Sequence, residues 1–305
     1  MKHVCCNYCG YDDTELVNVG PDMLLNTGQF TLVRCRHCGL IYQNPQPNLT
    51  ELAAHYPDEY PRFITSEQES GLSRLSANHA LTRQRQRLER HWEGYGRLLD
   101  VGCATGQFLA HMRTAGWQVA GVEFSPHAAA FAREQYGLDV QTGTLEDATF
   151  ADDSFDVVTL WDVLEHVQNP KGTLAEVARI LRPGGLVVVS TPNPDCVEAR
   201  LFGPHWIGWE RPRHLHLFPP KLLRRYMQDA GFEVVSLESF SGRLGVTLVS
   251  IAYWLRTTNV PEEKWQPWLR AAYTWPLRLA TWPIYRLGEA LNKTTTMAVF
   301  AQLSK

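Results

Sequence analysis

No run of about 18 apolar residues occurs anywhere in the 305-residue chain, so a membrane-spanning helix is not expected. The opening stretch MKHVCCNYCG has no apolar core of the secretory-leader kind, which makes the cytoplasm the expected compartment. Positive charge is not in excess: 29 Lys and Arg stand against 32 Asp and Glu, a net charge of −3. A molecule built as a whole to bind nucleic acid is excluded on that balance. A disulfide framework is absent too. Of the 7 cysteines, four fall in two C-x-x-C pairs, a pattern that in a cytosolic chain argues for metal. What remains is an ordinary globular composition, 44% hydrophobic and 20% charged, enough for one full domain and one small one.

The first unit runs over residues 1–47. Cys6-x-x-Cys9 and Cys35-x-x-Cys38 are paired knuckles able to supply four thiolates tetrahedrally to Zn²⁺, and Gly39 permits the tight turn after the second pair. A redox C-x-x-C is disfavoured because neither pair is followed by a helical pattern. Cys5 and His37 are spare donors, so the first pair could shift by one residue. Four protein ligands would close the coordination shell, which makes the predicted zinc ribbon structural. Residues 48–96 form a connector: Asn44-Pro45-Gln46-Pro47 leads into a short helix from Leu49, a Tyr/Pro-rich turn to Arg62 and a longer helix over 72–92. Leu72, Leu75, Ala80, Leu81 and Leu88 give that helix a broken apolar stripe. Arg83, Arg85, Arg87 and Arg90 are expected to be mostly solvated.

From residue 97 to 305 strands and helices alternate, which specifies an α/β, doubly wound, Rossmann-like and mostly parallel sheet. Strands are expected near 97–101, 118–122, 138–142, 155–160, 185–190, 232–240 and 296–303, with helices near 104–115, 126–136, 171–181 and 219–230. An aromatic-rich helical insertion over 242–293 precedes the last strand. The chain is organised around Arg97–Gln107, RLLDVGCATGQ, a strand turned into a helix by two glycines. A dinucleotide fingerprint would need glycine at 102, 104 and 107, but the residues are Gly102, Ala104 and Gln107. Asp100 at the strand end would repel a pyrophosphate and attract a ligand carrying an ammonium and a sulfonium, as S-adenosylmethionine does. Glu123, ending the next strand, can accept from a ribose diol, and Phe124 can lie against an adenine ring. Leu145, Glu146 and Asp147 follow the third strand, with one acid placed to take the adenine amino group.

The ordered blocks LLDVGCATG, GVEFS, GTLEDATFADDSFDVVTLWDVLEHV and LRPGGLVVVSTPN resemble class I S-adenosylmethionine-dependent methyltransferases over about 97–240. The N-terminal knuckles and RCRHCGLIYQNPQP resemble the zinc-binding lobe of a bacterial subgroup that methylates carbon or oxygen of sugars and other small molecules. The resemblance implies that Asp100, Gly102, Cys103, Ala104 and Gly106 cradle the methionine part of the donor. It gives Glu123 to the ribose and Leu145, Glu146 or Asp147 to the surroundings of the adenine, with Phe124 and Trp161 as further cofactor-binding candidates. Ala104 replaces a glycine more usual in the family, a change expected only to tighten the turn.

Methyl transfer to a hydroxyl also needs a base. Asp162, Glu165 and His166 resemble the acidic/His cluster of ubiquinone-pathway O-methyltransferases, which holds a divalent cation. Helix capping is the preferred reading of these residues here, with His166 kept as a candidate base. The stretch from Trp206 to Phe218, rich in aromatics, Arg and His, is the second place, and His214 is the first choice for contacting or deprotonating the acceptor. His216 would share its face in an extended segment and can be structural. In the insertion, Trp265, Trp268, Trp275 and Trp282 are interspersed with Arg270, Arg278 and Arg286. Such helices form a lid, a dimer face or core packing, line an apolar-substrate pocket, or touch a membrane surface through 250–291. The expected protein is a monomeric or homodimeric methyltransferase of a small molecule, by O-methylation. An RNA methyltransferase with a zinc module and a non-catalytic cofactor-binding protein are the alternatives, and no nucleic-acid partner is expected.

Overall fold

The computed structural model describes residues 1–56, 71–240, 244–272 and 275–304. The expected turn through Arg62, and the side chains of Leu72, Leu75, Arg270, Trp275 and Arg278, lie outside the described residues. In chain order the elements begin with strands β1 (Thr14–Gly20), β2 (Phe30–Cys35) and β3 (Ile41–Gln43), then helices α1 (Leu49–Ala53) and α2 (Gly71–Glu89). The alternating region follows: β4 (Arg97–Val101), α3 (Gln107–Thr114), β5 (Gln118–Glu123), α4 (Pro126–Tyr136), β6 (Val140–Thr142), β7 (Phe155–Trp161), α5 (Pro170–Ile180) and β8 (Leu181–Pro192). Helix α6 (Val197–Phe202), strand β9 (His216–Leu217), helix α7 (Pro220–Asp229) and strand β10 (Phe232–Ser239) lead to the insertion. There α8 (Leu244–Arg256), α9 (Glu262–Ala272) and α10 (Trp275–Ala290) precede β11 (Thr296–Leu303).

Seven strands make the main sheet in the order β10-β11-β8-β7-β4-β5-β6, with β8 through β6 parallel and the β10–β11 hairpin antiparallel. Val157, Val158, Leu160, Val187, Val188 and Val189 are buried on both faces, so these strands read as continuous apolar runs rather than alternating ones. Helix starts are written locally. Ser125 caps α4 by accepting from the Ala128 amide at 3.3 Å, Asn169 caps α5 through the Gly172 amide at 3.2 Å, and proline occupies the first turn of both. The chain runs outward from β4 to β6 on one side and from β7 to β8 on the other, so the order reverses between β4 and β7. A crevice for ligand is expected outside their carboxyl ends.

The turn Arg182-Pro183-Gly184-Gly185, expected to feed the fifth strand, is instead absorbed into the start of β8, with a register break against β7. Of the arginines expected in solvent, Arg83 and Arg90 are exposed. Arg87 is half-buried, 3.1 Å from Glu238 and stacked 4.5 Å over the Phe240 ring, because α2 packs along the sheet edge.

The expected boundary at residue 47 is crossed by the chain. Strands β1, β2 and β3 pair antiparallel, and the fourth strand of their sheet is β9, contributed from far downstream, with Ile41 opposite Leu217 and Tyr42 opposite His216. A buried ion pair reinforces the joint: both Arg213 terminal nitrogens donate to the Asp22 carboxylate, at 3.0 and 3.1 Å. His55 Nδ1 lies 2.6 Å from the same carboxylate. Burial works to raise the Asp22 pKa, but the bonds from Arg213 and neighbouring amides hold it below the usual carboxylate range.

Candidate active site

The cradle forms where β4 meets α3. Gly102, Ala104 and Gly106 take φ of 69°, 48° and 77°, so the backbone coils with three left-handed residues within five positions. A Cβ on Gly102 would stand 2.5 Å from Val163 Cγ2, which puts the segment after β7 directly against the turn. No side chain caps α3, leaving its first amides directed at the crevice. The alanine at 104 does more than tighten the turn. Its strained conformation is held by its amide, which donates to Glu123 Oε2 at 2.8 Å.

Glu123 also accepts from the Ser125 amide at 2.8 Å, so each carboxylate oxygen is oriented by one backbone donor and keeps a lone pair for a diol. Burial pushes its carboxyl up, against those amide bonds. Asp100 is buried at the end of β4 and pushed up to about 7, by burial first and by the neighbouring Glu123, while Thr159 Oγ1, donating at 2.6 Å, works the other way. A cationic ligand at Asp100 favours the ionised carboxylate. Donor affinity should therefore rise with pH up to about 7 and level off above it. Each unit below should cost at most about tenfold. Titration calorimetry between pH 5 and 8 checks this, and a flat profile for the native protein would remove Asp100 from the cradle.

The other cofactor candidates fall differently. Cys103 turns inward, its sulfur where a Cβ on Gly121 would fall at 2.7 Å, so only its backbone faces the turn. Phe124 is half-exposed at the rim. Leu145 is buried in the core. Glu146 accepts from Thr173 Oγ1 at 2.7 Å, and Asp147 from the Thr144 hydroxyl at 2.8 Å. Trp161 packs edge-on between Phe108 and Phe240, and its buried indole N–H finds no hydrogen-bond partner among the described residues. The left-handed turn and the paired acids thus suit a methyl-donor cradle.

Beside the cradle, residues far apart in sequence converge. His214 is buried, and its Nδ1–H donates to the Gly208 carbonyl at 2.8 Å, which fixes the tautomer and leaves the Nε2 lone pair for chemistry. Nε2 lies 3.5 Å from Glu210 and 3.9 Å from Glu165. Burial lowers the imidazole pKa against the opposing pull of Glu210, which favours the neutral ring. The His166 ring meets it edge-on, centroids 4.7 Å apart, and its Nδ1 donates to the Arg213 carbonyl at 3.0 Å. The two segments are locked together: the amides of Leu215 and His216 both donate to the Glu165 carbonyl, at 2.8 and 3.1 Å. His216, in β9, is buried and pushed down to about 4, a structural position as its neighbours suggest.

Tyr56 was not a sequence candidate. Its hydroxyl lies 3.0 Å from His166 Nδ1. Burial raises its pKa, and Glu210, Glu165 and Glu123 add to the rise, so it stands in the field of both the cradle and the imidazoles. Glu210 was passed over as well, although it lies inside the stretch singled out by composition. Asp162, expected beside Glu165 and His166, takes φ of 54° and accepts from Ser190 Oγ at 2.8 Å. Donor atoms of Glu165, His166 and His214 are the ones within 4.8 Å of one another.

In the N-terminal lobe the sulfurs of Cys6, Cys9, Cys35 and Cys38 also lie within 4.8 Å of one another, with Cys6–Cys38 at 3.4 Å and Cys9–Cys35 at 3.5 Å. Tetrahedral thiolates around zinc sit about 3.8 Å apart, so the four fit such an ion. Cys5 is exposed and His37 stacks on Tyr11, centroids 4.2 Å apart, so neither spare donor joins the group.

The profile of a family described as a methyltransferase domain matches residues 51–237. A ubiquinone biosynthesis O-methyltransferase from Azoarcus sp. is 35% identical over 158 residues, 48% of this chain and 67% of the relative. Its counterpart from Cereibacter sphaeroides is 35% identical over 150 residues, 46% of this chain and 61% of the relative. The chain thus spans about two thirds of the length of these relatives, or somewhat less. A SAM-dependent methyltransferase from Archaeoglobus fulgidus superposes with a TM-score of 0.51 at 19% identity, covering 74% of this chain and 94% of that one. The [4+2]-cyclase SpnF does so with 0.54 at 18% identity, covering 85% and 97%. Both share the fold, and the second bears a cyclase's name, so the reaction has to be argued from the site.

Proposed function

The chain belongs to the class I S-adenosylmethionine-dependent methyltransferases, and we propose from that premise that it methylates a hydroxyl oxygen of a small-molecule acceptor with His214 as general base. The donor, when bound, supplies an electrophilic methyl on sulfonium. Asp100, Gly102, Ala104, Gly106 and Glu123 hold it against the crevice. The observation that carries the base assignment is the buried imidazole whose Nδ1–H is fixed on Gly208, leaving Nε2 to take the hydroxyl proton as the oxygen–carbon bond forms. Glu210 and Glu165 stabilise the imidazolium so produced, which then loses its proton to solvent. Tyr56 and His166 bound the acceptor space on the connector side. The O-methyltransferase names of the relatives favour oxygen over carbon, and acceptors of the sugar and quinone-like classes are the candidates. The same reading gives Cys6, Cys9, Cys35 and Cys38 to a structural zinc ion.

Methyl-labelled donor incubated with hydroxylated aromatics, sugars and bulk tRNA, followed by product NMR, tests the proposal. An O-methyl product from a small hydroxyl compound supports it. A C-methyl product, label in RNA alone, or donor binding with no product across the panel would overturn it in favour of carbon transfer, RNA methylation or a scaffold role. A second reading rests on the proximity of Glu165, His166 and His214, which suits a divalent cation that would polarise the acceptor oxygen. Mg²⁺-dependent turnover in protein that retains its full zinc content would favour it.

A further inference from the structure

Two arginines stand two residues apart in the loop that carries His214, and the fold treats them differently. Arg213 is satisfied on every side: the Asp22 and Glu210 carboxylates and the His55 and Arg211 carbonyls all accept from it. Arg211 is 5% exposed and makes no ion pair among the described residues. Its Nε–H donates to the Pro21 carbonyl at 3.3 Å, but Nη1 is buried and finds no acceptor among those residues. The carboxylate whose field reaches it, Asp22, is saturated, accepting from the Leu24 and Leu25 amides at 2.7 and 3.0 Å as well as from Arg213. Burial pushes the Arg211 guanidinium down to about 10, so it stays charged at pH 7. A buried charge without a partner is costly, and the main chain is nevertheless shaped to receive it. Strand β1 ends in glycine, where a Cβ would stand 2.7 Å from Arg211 Nη2 and 2.9 Å from its Cζ.

We propose that the acceptor is a hydroxy acid whose carboxylate pairs with Arg211, with the Tyr253 hydroxyl as a second donor, so that its hydroxyl is presented to His214. This rests on the assignment of His214 as the base. Three features select a carboxylate. The guanidinium offers unused N–H donors in a fork that matches two carboxylate oxygens. Tyr253 of α8 joins this arginine to the acceptor side: it stands in the field of both Arg211 and Glu210, and Glu210 Oε2 is 3.5 Å from His214 Nε2. Burial and then Glu210 raise the Tyr253 pKa, which keeps its hydroxyl a donor. One guanidinium with Asp22 and Glu210 nearby matches a single negative charge, whereas a phosphomonoester would bring a second one against those acids. Met23, whose amide donates to the Arg211 carbonyl at 3.1 Å, belongs with Trp206, Trp209 and Tyr253 to one apolar cluster. Such low-polarity surroundings strengthen the pair.

Matched pairs test this on the full-length protein: 4-hydroxybenzoate against 4-hydroxybenzamide, and glucuronate against glucuronamide. Binding is measured by calorimetry with S-adenosylhomocysteine present, and turnover with methyl-labelled donor. In at least one pair the acid should bind at least tenfold tighter than its amide and be methylated with a kcat/KM at least tenfold higher, the difference lying in KM. Arg211→Gln should erase that preference, and Tyr253→Phe should reduce it several-fold. Without acceptor, Arg211→Gln should keep native donor affinity and a Tm no lower than native, because it removes a buried charge that had no partner. Equal binding of acid and amide in both pairs, a preference that survives Arg211→Gln, or a Tm clearly below native in that variant would overturn the proposal. Arg211-dependent binding of the acid with no methylated product would uphold the carboxylate site and overturn the O-methylation reading instead.

Discussion

His214→Ala is expected to lower turnover of a hydroxyl acceptor by about 10²–10⁴-fold while leaving donor affinity within a few-fold of native. The size follows from the arrangement around the ring. Nε2 is the lone pair left over once Nδ1–H is committed to Gly208, and Glu210 and Glu165 stand at 3.5 and 3.9 Å to receive the charge that forms. Donor affinity is spared because the cradle is built from β4, β5 and the start of α3. Truncating a buried ring also leaves a cavity, so calorimetric donor binding serves as the control for folding. In native protein at saturating donor, kcat/KM for the acceptor should fall as pH drops through the imidazole pKa, which burial places below 6.5. That limb should vanish in His214→Ala and in His214→Gln. Full turnover by His214→Ala with a genuine acceptor would remove it from the mechanism.

Loss of the proposed zinc should be equally severe by a different route. Chelation, or Cys35→Ser, is expected to unfold the N-terminal lobe, since thiolates gathered around a structural zinc contribute on the order of 10 kcal/mol of folding free energy. The damage should not stay there. Strand β3 pairs with β9, and the Asp22–Arg213 pair lies between the lobe and the loop that carries His214. With the lobe gone, Arg213 loses its two bonds to Asp22 and keeps Glu210, a defect costing about 1.5–3 kcal/mol, and His214 loses its alignment. Zinc content, near-UV circular dichroism and turnover should therefore fall together. A metal-free protein with an intact lobe and full activity would contradict the assignment.

How much of this was legible in the sequence follows from how local each feature is. The Asp100–Gly106 cradle and the caps at Ser125 and Asn169 are written in short consecutive stretches, and the parallel sheet is written in the alternation of apolar runs. His214 stood out by composition, and its tautomer lock is only six residues away, at Gly208. Tyr56 reaches His166 across 110 residues, and Arg213 reaches Asp22 across 191, and no periodicity encodes such a meeting. Asp162 misled for a conformational reason: its left-handed backbone turns the carboxylate to Ser190, and His214 comes closest to Glu165 and His166 instead. Glu146 and Asp147, expected to surround the adenine, each also accept from a neighbouring threonine hydroxyl, Thr173 lying 27 residues on from Glu146 and Thr144 three residues before Asp147.

The two-residue strand β9 also sets an order in time. As the chain leaves the ribosome, the cysteines of the lobe emerge first, and about 170 residues separate the end of β3 from β9. At roughly 5–20 residues per second, that is an interval on the order of ten seconds or more. During it β3 has an open edge and Asp22 has no guanidinium. The four-cysteine lobe is therefore finished only after most of the α/β domain has been made. Its folding is a late event of synthesis, tied to the moment when the loop that carries His214 becomes available.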